Sequence, residues 1–279
     1  MDEMTARAGA TARRWEEAAW PDLMDLAGTA GTDRVEVGLV PVGATEQHGP
    51  HLPTGTDTMI AAALCDRASA LTGAPVLPAI SVACSYGHGT VLPGTLSLTP
   101  ELFAAIVRQY AEWATTSGLT RLLFVNAHLG NSAALGIATD HLRLFRPDLR
   151  VGVVDWWTLD PEVAREAVVD GDDIHANRAE TSVMLAIAPQ LVHLDRAAVA
   201  NDPDRTGGLV FRYTAPALST NGVTGRPADA TSVLGDRLLD LTVTALARRI
   251  EQGRIEEPPL GIAPWPDAAR THRFEPTNG

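Results

Sequence analysis

Apolar residues occur along the chain in short continuous runs, separated by longer segments with helical spacing. Three runs, at 35–42, 122–125 and 149–154, have the length and apolar content of strands covered on both faces. Helices are predicted at 15–26, 59–70, 100–116, 132–145, 161–168, 180–187 and 232–252. Strands that alternate with helices are typical of a mostly parallel β-sheet flanked by helices, so the sequence predicts an α/β fold.

The same pattern predicts one domain. No linker-like stretch interrupts 15–255, and 279 residues with 45% hydrophobic content can bury one large core. The charged, Ala-rich residues 1–14 are expected to form a poorly ordered lead, and the Pro-rich residues 256–279 an irregular tail. The short run 76–80 contains Pro78, which favours a strand at the edge of the sheet.

The first strand runs into a loop rich in residue types that bind metals. The stretch 39–58 reads LVPVGATEQHGPHLPTGTDT, in which Glu46 and His48 stand two residues apart and point to the same side of an extended chain. Asp57 can return to that point only through a turn, which the two prolines and two glycines between 49 and 55 favour. In the alternative interpretation, Glu46 and His48 face solvent and Asp57 caps the next helix. This stretch alone does not separate the two.

Further polar residues follow the later strands. His128 lies in NAHLGN at 126–131, and His175 and Glu180 lie five residues apart in GDDIHANRAETS. Because right-handed crossovers bring the loops after parallel strands to one edge of a sheet, these residues are expected near the first loop. Each has a structural alternative: a hydrogen-bonded turn for His128, and a helix-start pair for His175 and Glu180.

Composition and charge exclude several classes of partner. The 22 Lys+Arg and 34 Asp+Glu residues give a net charge of −12, which argues against a nucleic-acid-binding surface. The chain has two cysteines, Cys65 and Cys84, which is too few for a disulfide framework and indicates a protein from a reducing compartment. Cys84 is expected to be a small buried residue. The first residues lack a secretory signal and no apolar run has membrane-spanning length, so we expect a cytoplasmic protein without a membrane partner.

The candidate residues share the chemistry of a divalent-metal site. Imidazole and carboxylate are ligands that Zn, Mn and Fe have in common, and the set offers no thiolate. Three carboxylates and three histidines suit two ions better than one, and a carboxylate such as Asp57 can bridge ions about 3.5–4 Å apart. A water between the ions would be a hydroxide near neutral pH. The six candidates are Glu46, His48, Asp57, His128, His175 and Glu180.

Three motifs together identify a family. VPVGATEQHGPHLPTGTDT, FVNAHLGN and HANRAETS, in that order, closely resemble the creatininase family of metal-dependent amidohydrolases, and ATEQHGPHLP and ETSV are most similar to its peptidase members. The resemblance covers about residues 20–250. It implies a creatininase-like three-layer fold, a dinuclear metal site and a homohexamer.

The resemblance also implies residue roles. Glu46, Asp57 and His128 match the ligands of one ion, and His48 and Asp57 match those of the other. Creatininases complete the second site with a glutamate two residues after the histidine of the NGH motif, where this chain has Gly130. We therefore expect Glu180 to replace it, directly or through the bridging water. His175 matches the histidine that protonates the leaving nitrogen.

On the substrate side, Ser85 and His88 resemble a Ser-x-x-His before the family's PGT motif, although the spacing to Pro93 is one residue longer here. Trp156 or Trp157 matches a substrate-side tryptophan, unless both lie in the core, and Leu129 is the remaining candidate contact. The sequence thus predicts a hydrolase of C–N amide bonds in a cyclic amide, a formamide or a small peptide, acting on a small natural-product or peptide precursor. The alternatives are creatinine hydrolysis, formamide deformylation and, in another class, a non-catalytic relative that binds a metal or small molecule.

Overall fold

A parallel β-sheet forms the centre of the protein. The computed structural model describes residues 11–26, 36–89 and 91–259. The sheet has five strands, which are Arg13–Arg14 (β1), Gly38–Val42 (β2), Pro75–Val76 (β3), Arg121–Asn126 (β4) and Arg150–Asp155 (β5). Their order is β1-β3-β2-β4-β5, and every pair is parallel, which confirms the predicted fold class.

The register of the three longest strands brings their carboxyl ends to one edge. β2 pairs with β4 up to Val42 opposite Asn126, and β4 pairs with β5 up to Asn126 opposite Asp155. The loops that leave these residues therefore start side by side. This is the edge at which open α/β proteins bind ligands.

Helices cover both faces of the sheet. Leu39 packs in an apolar cluster with α2, α6 and α9, whereas its neighbour Val40 packs in a second cluster with α3 and α4. The alternation follows from the two-residue period of a strand and produces three layers. The helices are Trp20–Leu26 (α1), Thr56–Thr72 (α2), Pro100–Thr116 (α3), Ser132–Phe145 (α4), Pro161–Ala167 (α5), Arg178–Ile187 (α6), Leu194–Ala197 (α7), Ala215–Leu218 (α8) and Ser232–Ile255 (α9).

The structure departs from the predicted pattern near the N-terminus. Strand β3 is shorter than predicted and is not at the edge, because β1 pairs with its free side. Part of the expected unordered lead thus forms the edge: the Arg13 amide donates to Ser69 Oγ at 2.9 Å, and Arg14 pairs with Asp66 at 2.6 Å. The predicted helix at 15–26 is divided into a 3₁₀ turn, Trp15–Glu17, and α1.

The two chain ends of the prediction lie mostly outside the described residues. Residues 1–10 and 260–279 are not described, so the expected lead and tail are untested there. Among the described helices, none is both long and apolar enough to cross a membrane.

Candidate metal centre

The loop after β2 folds back so that Asp57 faces His48. Gly43 allows this return, because a Cβ there would lie 2.3 Å from the backbone nitrogen of Thr58 at the start of α2. The Glu46 amide donates to the Thr54 carbonyl at 2.9 Å and closes the loop. The residue that caps α2 is Gly55, and Asp57 lies in the first turn with its Oδ1 3.0 Å from His48 Nε2. The solvent-exposed and helix-capping alternatives for this loop are therefore wrong.

Carboxylates and imidazoles from three loops meet at one buried point. His128 Nδ1 lies 3.2 Å from Glu46 Oε1 and 3.3 Å from Asp57 Oδ2. His48 Nε2 lies 4.0 Å from Glu180 Oε2, in addition to its contact with Asp57. All six candidate residues are buried, as expected for ligands shielded from water: Glu46, His48, Asp57, His128, His175 and Glu180.

Backbone carbonyls fix which ring nitrogen of two histidines faces the carboxylates. His48 Nδ1 lies 3.2 Å from the Glu46 carbonyl, and His128 Nε2 lies 3.0 Å from the Cys84 carbonyl, so each of these nitrogens donates its proton outward. The opposite nitrogens, Nε2 of His48 and Nδ1 of His128, point at the carboxylates. A histidine that donates one N–H to a carbonyl and turns its other nitrogen inward has the arrangement of a metal ligand.

Several buried oxygens in this cluster lack hydrogen bonds. Both carboxylate oxygens of Glu46 and Oδ2 of Asp57 are fully buried without a hydrogen-bond partner, although ring nitrogens lie 3.1–3.3 Å away. Unpaired buried carboxylate oxygens are costly unless a cation neutralises them, so the donor set fits a divalent metal. Ligand-type atoms lie within 4.8 Å of one another in three overlapping groups: Glu46–His48–Asp57, His48–His175–Glu180 and Glu46–His88–His175.

The charges of the cluster depend on one another. Burial disfavours the charged form of His48, but Asp57 and Glu180 raise its pKa to about 10. Burial also lowers the pKa of His128, but Glu46 and Asp57 outweigh this effect and raise the pKa to about 9. Burial also opposes ionisation of Glu46, yet the surrounding histidines hold its pKa well below the usual range. Burial raises the pKa of Glu180 to about 8.

Glu180 takes part in both the helix start and the cluster. Asn177 caps α6 by accepting a hydrogen bond from the Glu180 amide at 3.1 Å, and Glu180 Oε2 accepts from the Ala176 amide at 2.5 Å. Ala176 has a φ of 51°, an uncommon value that brings His175 and Glu180 to the same side of the turn. The helix-start alternative is therefore correct for Glu180, and the residue also lies beside His48.

Gln47 is a site residue that the sequence reasoning missed. Its Oε1 accepts from the Gly49 amide at 3.0 Å and its Nε2 donates to the Gly222 carbonyl at 3.2 Å, which fixes the orientation of the amide. The same Nε2 lies 2.8 Å from His175 Nε2 and 3.1 Å from His88 Nδ1. Its position between Glu46 and His48 gave no signal, because alternation along an extended chain would turn it to the opposite side.

His175 and His88 approach the cluster from its open side. His175 Nδ1 lies 3.3 Å from Glu46 Oε1, and His88 Nε2 lies 3.1 Å from Glu46 Oε2. Burial lowers the pKa of His175, with the nearby His48 adding to the effect, and burial lowers the pKa of His88 to about 3. Both rings are therefore neutral at physiological pH beside a carboxylate.

Hydrogen bonds of the Asn126 side chain hold the carboxyl end of β4. Asn126 Nδ2 donates to Asp155 Oδ1 at 2.7 Å, and Asn126 Oδ1 accepts from the His128 amide at 3.1 Å. Gly130 lies directly against His128, since a Cβ there would be 2.4 Å from His128 Nε2 and 2.5 Å from the Cys84 carbonyl oxygen. This backbone leaves no room for a glutamate side chain at this position.

The predicted substrate residues divide into two groups. A cavity of about 500 Å³ opens on the cluster and is lined by Ser85, His88 and Leu129, as expected for substrate contacts. Trp156 and Trp157 instead are buried in the apolar cluster with α2, α6 and α9, and neither lines this cavity. Their substrate role stays a prediction.

His51 braces the first loop against α6. Its Nε2 lies 2.9 Å from Thr181 Oγ1 on α6, which ties the first loop to the helix that carries Glu180. Burial and the neighbouring histidines lower its pKa to about 4, so the ring is neutral.

Comparisons with known proteins identify a related group. The family model for creatininases, described as creatinine amidohydrolase, matches residues 16–250, which contain every loop that forms the site. The mycofactocin precursor peptide peptidase of Mycolicibacterium smegmatis is 34% identical over 228 residues, covering 77% of this chain and 84% of the relative. The creatinine amidohydrolase of Pseudomonas putida is 30% identical over 231 residues, covering 77% of this chain and 88% of the relative.

Solved structures agree with this grouping. A mutant creatininase of Zn-Zn type has a TM-score of 0.76 and 27% identity, and covers 88% of this chain and 99% of that chain. A manganese creatininase has a TM-score of 0.75 and 27% identity, and covers 88% of this chain and 100% of that chain. The similarity therefore extends over most of this chain and nearly all of each creatininase.

Proposed function

Because the chain belongs to the creatininase family, we propose that it is a metal-dependent hydrolase that cleaves the C–N amide bond of a short peptide or peptide-like precursor. Its relatives are named a precursor peptide peptidase and a creatinine amidohydrolase, both of which act on such bonds. Solved family members include zinc and manganese forms, so a divalent ion such as Zn, Mn or Fe is the expected cofactor.

One observation carries this proposal: the carboxylate of Asp57 turns one oxygen toward each inward ring nitrogen. Oδ1 lies 3.0 Å from His48 Nε2, and Oδ2 lies 3.3 Å from His128 Nδ1. We propose that Glu46, Asp57 and His128 would hold one ion, and that His48, Asp57 and Glu180 would hold the other. When bound, such ions supply an activated water and polarise the substrate carbonyl.

The remaining residues move protons and orient the rings. His175 lies with Nε2 at Gln47 and Nδ1 toward Glu46; because its ring is neutral, it would first take the proton that the attacking water gives up and then pass a proton to the leaving nitrogen. Gln47 acts as a positioning residue, because its fixed amide can donate only to a ring nitrogen that carries no proton. Ser85, His88 and Leu129 would contact the substrate in the cavity.

The steric environment of Gly130 favours a peptide-like substrate over creatinine. The creatininase glutamate is absent and cannot be accommodated there, so the second ion would depend on Glu180. A non-catalytic role is not favoured, since all the carboxylate and imidazole groups of the cluster are intact.

By resemblance to the family we further propose a cytoplasmic homohexamer, to be tested by sedimentation.

The experiment is reconstitution after chelation. Metal-free protein, and protein reloaded with Mn²⁺ or Zn²⁺, would be assayed by mass spectrometry on a library of short peptides and on creatinine. We expect amide cleavage only after reloading, on peptides and not on creatinine, and no cleavage by Asp57→Ala under any loading. Equal cleavage by metal-free protein would refute a metal-dependent hydrolase, and turnover of creatinine alone would refute the peptide substrate.

A further inference from the structure

A second cavity adjoins the one above the cluster. It measures about 360 Å³ and shares five lining residues with the first: Gly87, His88, Asp173, His175 and Arg212. One part of its lining comes from Leu209, Phe211, Arg212 and Tyr213, which we call the 209–213 wall. The two cavities thus meet at His175, the group placed next to the leaving nitrogen.

The 209–213 wall is apolar and aromatic although it faces open space. Leu209, Phe211 and Tyr213 line the second cavity while 47%, 71% and 52% of their surfaces remain exposed. Large apolar side chains that line a cavity and stay exposed are typical of a surface completed by a ligand. The wall therefore suits an apolar or aromatic substituent on a substrate whose amide lies at His175.

Arg212 is the one arginine or lysine among the described residues that line either cavity. No described residue forms an ion pair or hydrogen bond with it. The acids that line the cavities have other neighbours: Asp173 accepts from Thr224 Oγ1 at 3.1 Å, and Glu46 is enclosed by histidines. In a chain of net charge −12, this cation is free to bind an external anion.

We propose that Arg212 determines specificity by binding a carboxylate of the substrate, while the 209–213 wall holds an adjacent apolar or aromatic side chain. The substrate class is then a peptide or N-acyl amino acid with a free carboxylate close to the scissile amide. A guanidinium presents two parallel donors that match the two oxygens of a carboxylate. A carboxylate matches this single cation in charge, whereas a phosphate dianion carries a second charge for which neither cavity provides a second arginine or lysine among its described lining residues.

This inference rests on the proposed function but is tested by binding alone. N-acetylphenylalanine and its carboxamide differ only in the carboxylate, and their dissociation constants would be measured by calorimetry on metal-loaded wild type. We expect the acid to bind about 10-fold or more tightly than the amide. Arg212→Leu should abolish the difference, and Arg212→Lys should keep part of it because the charge remains without the paired donors.

A matched control separates Arg212 from general charge effects. Arg248→Leu removes the same charge from an exposed position on α9 that lines neither cavity, and it should leave the preference unchanged. The proposal is overturned if wild type binds both probes equally or fails to bind the acid. A preference that survives Arg212→Leu would also overturn it, because the bound ions and not Arg212 would then hold the carboxylate.

The two claims fail independently. Metal-loaded protein that cleaves peptides without any preference for the acid probe would remove the role of Arg212 and leave the hydrolase intact. Arg212-dependent binding in a protein that cleaves no amide would remove the hydrolase and leave the carboxylate site.

Discussion

Adding a single methyl group at Gly130 tests the geometry of the metal centre. In Gly130→Ala the new Cβ would lie 2.4 Å from His128 Nε2 and 2.5 Å from the Cys84 carbonyl oxygen, whereas ordinary contact begins at 3.4 Å. The neighbours must therefore shift by about 1 Å, which breaks the 3.0 Å hydrogen bond between His128 and Cys84. Loss of a hydrogen bond that orients a metal ligand lowers metal affinity by about 10–100-fold.

The assay is competition between the protein and a chromophoric chelator for Zn²⁺, with thermal unfolding recorded in parallel. Gly136→Ala is the matched control, because a Cβ on that exposed turn of α4 would meet no atom within 4 Å. The control should bind metal like wild type and gain up to about 1 kcal/mol of stability, since alanine replaces glycine inside a helix. Wild-type metal affinity in Gly130→Ala would refute the assigned orientation of His128.

Five residues of the site give three further predictions. His175→Ala should retain metal and slow turnover by about 10²–10⁴-fold, with a smaller loss on activated anilides. Glu180→Gln should instead weaken metal binding. Metal content and turnover would be measured for both variants, and the reverse result would exchange the two roles. Gln47→Leu should lower kcat while KM and metal content stay close to those of wild type. A ¹⁵N NMR spectrum should show that His175 Nε2 is no longer fixed as the hydrogen-bond acceptor, and an unchanged spectrum contradicts this role. Metal loading at pH 7 should release about three protons, because the pKa of His48 is about 10, that of His128 about 9 and that of Glu180 about 8, and the number should fall as pH rises toward 10. Calorimetry in buffers of different ionisation enthalpy counts these protons, and zero release at pH 7 contradicts the assignment.

The sequence predicts the parts of the site that depend on strand ends. Glu46, His48 and His128 were expected together because parallel strands deliver their loops to one edge, and the register of β2, β4 and β5 confirms this. Glu180 was expected from the resemblance, and the structure places its carboxylate 4.0 Å from His48.

Other parts depend on contacts that no local pattern encodes. Gln47 was missed because alternation along an extended chain turns it away from Glu46 and His48, whereas the real loop turns at Gly49, where φ is 60°, and brings it to His175. Strand β1 was missed because Arg13 is held by Ser69, 56 residues further along.

Arg212 had no signal either. It lies in a loop-rich segment without periodicity, and its relation to the site exists only through the cavities that it lines. Steric exclusion at Gly130 was likewise invisible, since it depends on the Cys84 carbonyl of another loop.

The central claim is that one buried carboxylate, Asp57, joins two metal sites. The most direct measurement is the metal content of purified protein by inductively coupled plasma mass spectrometry, for wild type and Asp57→Ala at matched concentration after equilibration with Zn²⁺ or Mn²⁺. The account predicts about two ions per chain in wild type and loss of both in the variant, because Asp57 faces both His48 and His128. One ion or fewer per chain in wild type, or an Asp57→Ala protein that keeps two, would contradict it.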